Sequence, residues 1–216
     1  MIGRYLVQAT VPLTVLLGAW ILSEHGSGDV GTREALRGTA RIAFVPFVLT
    51  FIARPLNELH PTRVSRWLFA NRGTLGVCFG LCMTSHFGLL LWLHYLSAPD
   101  IPEAVTVADY VIGGPGLFLV FVMLVTSAKR VHAAIDPRWW GGIHRFGLYL
   151  VWFIFLGCLV DSYGRKSPPY PASDYLPFIA VLIAAMGVRL GAALFGPNRK
   201  WARRAANEGT RGVTNG

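Results

Sequence analysis

Long apolar stretches separated by short polar segments dominate the hydrophobic pattern of this chain. A helix needs about 20 mainly apolar residues to cross the hydrocarbon core of a bilayer. Six stretches approach or reach that length: 5–23, 40–52 with an extension to Leu56, 75–96, 110–127, 143–160 and 175–195. The pattern therefore predicts an all-α integral membrane bundle of six transmembrane helices, formed by residues 1–196.

The two ends of the chain need separate interpretation. Arg4 precedes the first apolar stretch, but no small-residue cleavage site follows it, so we interpret 5–23 as a retained helix and not as a signal peptide. The last segment, 197–216, is basic and polar and has no helical periodicity. We expect it to be a cytoplasmic tail that is disordered at its end.

Composition supports a membrane protein. The chain is 53% hydrophobic and only 14% charged, whereas a soluble domain typically carries about 25% charge. The net charge of +9 does not indicate a nucleic-acid partner, because the basic residues concentrate in loops on one side of the predicted spans, 13 against 4. The positive-inside rule then places both termini in the cytoplasm, with lipid around the helices. Three arginines within spans, Arg41, Arg145 and Arg189, lie near span ends and are expected to extend to the interface.

Two of the six histidines lie in strongly apolar stretches, His86 in 75–96 and His144 in 143–160. An ionisable residue at membrane depth is a functional hypothesis by default. Imidazoles on two helices suit the axial positions of a heme iron, where a six-coordinate centre transfers electrons. For His86 a proton relay or a hydrogen bond to a neighbouring helix is the alternative. His94 is rotated about 80° from His86 on the same helix and is expected at the interface.

The sequence also gives the depth of these rings. His86 lies about 21 Å of helix beyond Arg72, whereas His144 lies about 7 Å into a helix that begins near Trp140. A heme shared by both therefore requires helix tilt or a late start of the third helix. Heme propionates need cations, and we expect Arg145 to supply one, with Arg72 as the more distant candidate.

The remaining chemistry-bearing residues have simpler interpretations. His25, His60 and His132 lie in polar loops, where solvated or structural roles are expected. The three cysteines lie in apolar stretches and indicate packing, not disulfides: Cys78, Cys82 and Cys158. Asp161 is expected to be an interfacial acid, with a quinol's proton as its alternative role.

Three stretches carry a resemblance to a known family. Residues 39–59 (TARIAFVPFVLTFIARPLNEL) are similar to its second helix, which ends in a Pro-Leu step. Residues 71–86 (NRGTLGVCFGLCMTSH) resemble an arginine and a Leu-Gly step before a heme histidine. Residues 125–149 (VTSAKRVHAAIDPRWWGGIHRFGLY) resemble a Thr-Ser helix end, a basic loop and a His-Arg pair. The chain thus resembles the ferric reductase-like transmembrane domain family, most closely its heme-binding membrane subunits of bacterial periplasmic methionine sulfoxide reductase systems.

This resemblance implies that His86 and His144 bind heme iron. Family members often carry a second histidine thirteen residues further along the fifth helix, where this chain has Gly157 followed by Cys158. One b-type heme is therefore the expectation from this resemblance, in a protein of a bacterial inner membrane. Cys158 as a substitute ligand is the alternative to its packing role.

The expected function is membrane electron transfer, from a quinol or a separate reductase to a periplasmic or membrane partner or another acceptor. The flavin and nicotinamide domains of larger ferric reductases have no counterpart in this sequence, so the sequence does not support a bound flavin. An enzymatic role is left open. The alternatives are a non-redox small transporter or assembly factor, whose histidines relay protons or pack, and a scaffold without a cofactor.

Overall fold

A computed structural model describes residues 2–97, 113–164 and 171–196, and all regular structure within these ranges is helical. Its α-helices are α1 (Ile2–His25), α2 (Asp29–Leu59), α3 (Arg63–Ser97), α4 (Gly114–Thr126), α5 (Lys129–Ala134), α6 (Pro137–Gly164) and α7 (Leu176–Phe195). A 3₁₀ turn, Ala172–Asp174, precedes α7. The predicted tail at 197–216, the start of the predicted span 110–127 and the side chain of His94 lie outside the described part.

Five of the described helices, α1, α2, α3, α6 and α7, are long and apolar enough to cross a membrane. They carry exposed large apolar side chains on their outer faces, among them Trp20 and Phe153, as contact with lipid requires. The chain is therefore a multi-pass helical membrane protein. The sixth predicted span corresponds to α4, whose 13 described residues extend over only about 20 Å. The described residues thus confirm the helical membrane class but not the count of six.

The helices α2 and α3 begin earlier than their apolar stretches. Hydropathy predicted spans at 40–52 and 75–96, but polar turns belong to both helices. At the start of α3 the Ser65 backbone N–H donates to Thr62 Oγ1 at 3.1 Å, and the Thr62 N–H donates to Ser65 Oγ at 2.8 Å. Such a reciprocal capping box satisfies two N–H groups that the first helical turn leaves unpaired. The segment 63–74, which carries three arginines, can therefore form helix well before the apolar stretch.

The helices form a ring around an internal space. Contacts join α2 to α3, α3 to α4, α4 to α6, α6 to α7 and α7 back to α2, while α1 packs outside against α2 and α3. Between them lies an apolar core with the fully buried side chains of Phe47, Phe51 and Leu182. The ring closes through α2, because this helix meets α7 as well as α3.

Glycines set the distance between α4 and its neighbours. A Cβ at Gly80 of α3 would lie 3.0 Å from a methyl carbon of Leu124 in α4. A Cβ at Gly147 of α6 would collide with Met123, and one at Gly116 of α4 with Ile154. Close approach at small residues is a common way for membrane helices to pack. These contacts also fix the level of each helix relative to the next.

Candidate functional site

A cavity of about 460 Å³ lies inside the ring and is lined by α2, α3, α4, α6 and the start of α7. Its deep walls are apolar and include Phe44, Phe79 and Phe155, whose rings pack together at centroid distances of 5.7 and 6.4 Å. Its other end lies where α2 begins and α6 ends. That end is polar and is lined by Arg33, Arg37, Arg41, Asp161, Ser162 and Asp174. The cavity thus suits an apolar ligand with an ionic end.

His86 lies on the wall of this cavity. Its Nδ1 is 3.1 Å from Thr39 Oγ1 on α2, and the same hydroxyl lies 2.9 Å from the carbonyl oxygen of Ala35. Because a hydroxyl has one hydrogen, Thr39 donates to the carbonyl and accepts from the N–H at Nδ1. The Leu36 carbonyl of α2 is a further hydrogen-bond partner of this imidazole. An N–H at Nδ1 leaves the lone pair on Nε2. The ring is therefore held in the form that binds metals.

His144 lies elsewhere and has other partners. Its Nδ1 is 3.0 Å from the carbonyl oxygen of Trp140, and its Nε2 is 3.3 Å from Ser127 Oγ. The imidazole packs on the Trp140 indole at a centroid distance of 4.1 Å. In turn, Trp140 Nε1 donates to the Thr126 carbonyl at 3.1 Å. These contacts join the end of α4 to the start of α6, so His144 has a structural role at this corner.

The structure does not bring His86 and His144 together. Gly80 of α3 and Gly147 of α6 both pack on neighbouring residues of α4, Leu124 and Met123, so they lie near one level. His86 follows Gly80 by six residues and His144 precedes Gly147 by three, in helices that run the same way. Nine residues correspond to about 13 Å along the bundle, whereas two nitrogens on one metal ion are about 4 Å apart. The assignment of His144 as an iron ligand stays a prediction, without support from this geometry.

The two arginines expected to meet propionates also lie away from the cavity. Arg72 is exposed, with its guanidinium carbon 4.7 Å from the centroid of the Phe69 ring. Arg145 is exposed on α6. Neither residue lines the cavity.

Sequence reasoning missed the arginines that do line it. Hydropathy places Arg33 and Arg37 in the loop after the first span and Arg41 near the interface. In the structure α2 begins at Asp29 and carries all three. Their spacing of four residues places them on one helix face, and this spacing was the available signal. On α6, Cys158 and Asp161 line the same cavity as His86. Cys158 is thus a cavity residue and is not buried in the packed core.

Among the described residues, no three His, Cys, Asp or Glu side chains form a group that could hold a bare metal ion. Comparisons with protein-family models, with curated proteins and with solved structures found no match. The fold and this site define a multi-pass helical membrane protein with an internal cavity that His86 lines.

Proposed function

We propose that this protein is a membrane electron-transfer protein that holds one b-type heme in the internal cavity through His86. The observation that carries the proposal is the His86 ring itself, held by Thr39 at Nδ1 on the wall of the cavity. A histidine that binds a metal typically has its other ring nitrogen fixed by such a partner.

The rest of the cavity fits this cofactor. A single histidine cannot hold a bare ion, but a porphyrin brings four nitrogens of its own and needs little more than an axial ligand. The volume of about 460 Å³ falls within the usual range of about 300–1,000 Å³ for ligand sites. The rings of Phe44, Phe79 and Phe155 offer apolar walls, and the α2 arginines are the candidate partners of propionates, in place of Arg145 and Arg72.

Bound heme supplies one-electron exchange between ferric and ferrous iron. The chain contributes the remaining properties: Thr39 orients the imidazole, the aromatic walls exclude water, and the polar end faces one membrane surface. A quinol or a separate reductase is the proposed donor, and a membrane or periplasmic partner or another acceptor receives the electron. In this proposal α4 crosses the membrane as a sixth span. The membrane is a bacterial inner membrane, and both termini of the chain lie on its cytoplasmic side.

An absorption spectrum tests the proposal. Protein purified from heme-replete cells is expected to show a Soret band and, after dithionite, an alpha band. His86→Ala should lose most of the bound heme, while His132→Ala, an exposed histidine outside the cavity, should keep it. Colourless wild-type protein would contradict the proposal and favour a transporter or assembly factor.

His144→Ala decides whether His144 is a second ligand. From the contacts of His144 we expect the variant to keep its heme and to lose stability. A variant that folds normally but loses heme would restore the expectation of two imidazole ligands.

A further inference from the structure

Arg189 of α7 lies between aromatic rings inside the bundle wall. Its guanidinium carbon is 4.2 Å from the Phe51 ring centroid and 4.6 Å from that of Tyr149. Its Nη1 is buried and has no hydrogen-bond partner. Its position near a span end predicts that the side chain extends to the interface, but in the structure the side chain stays between these rings. Cation–π contacts engage the faces of the guanidinium and the Tyr149 hydroxyl accepts a hydrogen bond from it. The N–H donors of Nη1 nevertheless stay unsatisfied, which is costly at a buried position.

Two more arginines act electrostatically on the Arg189 guanidinium. Arg54 of α2 and Arg145 of α6 are the cationic neighbours whose charges act on Arg189. Arg54 is paired with Glu58 at 2.7 Å. No carboxylate of the described residues pairs with Arg189. Like charges repel one another, and an anion bound beside Nη1 of Arg189 offsets the part of this repulsion that Glu58 does not.

We propose that Arg54, Arg145 and Arg189 form a binding site for the phosphate of an anionic phospholipid headgroup. Basic pockets between membrane helices are established sites for such headgroups, and guanidinium groups bind phosphate through paired N–H donors. The three residues lie toward the end of the bundle where α2 and α7 end. Five more basic residues follow α7 in the sequence, and basic residues next to a membrane helix attract anionic lipid. The site is separate from the cavity, which none of the three residues lines.

Lipid retention in native mass spectrometry tests this site. The intact protein is purified in detergent and incubated with phosphatidylglycerol or with phosphatidylcholine, each at the same concentration. Wild-type protein is expected to retain phosphatidylglycerol preferentially, and Arg145→Gln and Arg189→Gln should each lower its affinity about tenfold, the loss of one charge-assisted hydrogen bond. Arg138→Gln is the matched control, because it removes the same charge from an exposed position of the same helix as Arg145 and should bind as wild type.

Arg145→Gln keeps the test valid if Arg189→Gln fails to fold, since Arg145 is exposed. Equal retention of both lipids, or an equal loss in Arg138→Gln, would overturn the proposal. Inorganic phosphate at millimolar concentration is the second arm of the experiment. If it displaces phosphatidylglycerol, the site binds a free anion and the assignment to lipid is wrong.

Discussion

At the scale of single residues, one hydroxyl determines how His86 is presented to the cavity. Thr39→Val keeps the shape of the side chain but removes the acceptor for the N–H at Nδ1. Loss of such a partner typically lowers metal affinity by about 10–100-fold, so we expect heme titration into the apo-protein to show a weaker affinity of that order. Thr50→Val is the control, because Thr50 makes the same bond to a backbone carbonyl, at 2.7 Å to Pro46, without a histidine. Equal losses in both variants would contradict the orienting role.

Sequence reasoning found His86 but not Thr39. A histidine in an apolar stretch is conspicuous, whereas a threonine is ordinary in a membrane helix, and the two residues are 47 positions apart. Their contact depends on how α2 packs against α3, which hydropathy does not specify. The same limit applies to Arg189. Its position suggested an interfacial residue, but the rings of Phe51 and Tyr149 that surround it belong to other helices.

At the scale of helices, the sequence predicted every long apolar helix, but it placed the first residue of several helices too late in the chain. The length of an apolar stretch locates the part of a helix that lies within lipid. It does not reveal helical turns with polar residues that extend beyond the lipid. The segment 63–74 illustrates this, since the capping box of Thr62 and Ser65 starts α3 there. Likewise the N-terminal turns of α2, from Asp29, carry the arginines of the cavity. Capping signals, read together with hydropathy, would have recovered the start of α3.

Glycine packing makes a prediction at this scale. Gly80→Val places new methyl groups against Leu124, which already lies 3.0 Å from the position of a Cβ. Overpacking of this kind costs about 1–3 kcal/mol, so thermal unfolding in detergent should occur at a lower temperature and less heme should be retained. Gly88→Val is the matched control on the same helix, where a Cβ would meet nothing within 4 Å. If Gly88→Val were as destabilising as Gly80→Val, the cause would be helix propensity and not contact with α4.

At the scale of the whole molecule, the order of the helices around the ring could not be predicted. The contact between α2 and α3 joins helices that are adjacent in the sequence. The contact between α2 and α7 joins helices that are distant in sequence, and it closes the ring around the cavity. Residues from five parts of the chain consequently meet there, which explains why the site was predicted only in part.

The orientation of the bundle gives a prediction for the intact protein. Arg33 and Arg37 line the cavity, so they do not act as loop charges, and the basic loops then lie even more clearly on one side. We expect the turn between α2 and α3 to be cytoplasmic and the turn before α2 to be external. In a Cys158→Ser background, a membrane-impermeant maleimide should label Ser27→Cys in intact spheroplasts, and His60→Cys only in inverted vesicles. The native Cys78 and Cys82 are buried and should stay unlabelled. Labelling of both sites from one side would show that α2 does not cross the membrane, and the reverse pattern would show that the positive-inside assignment is wrong.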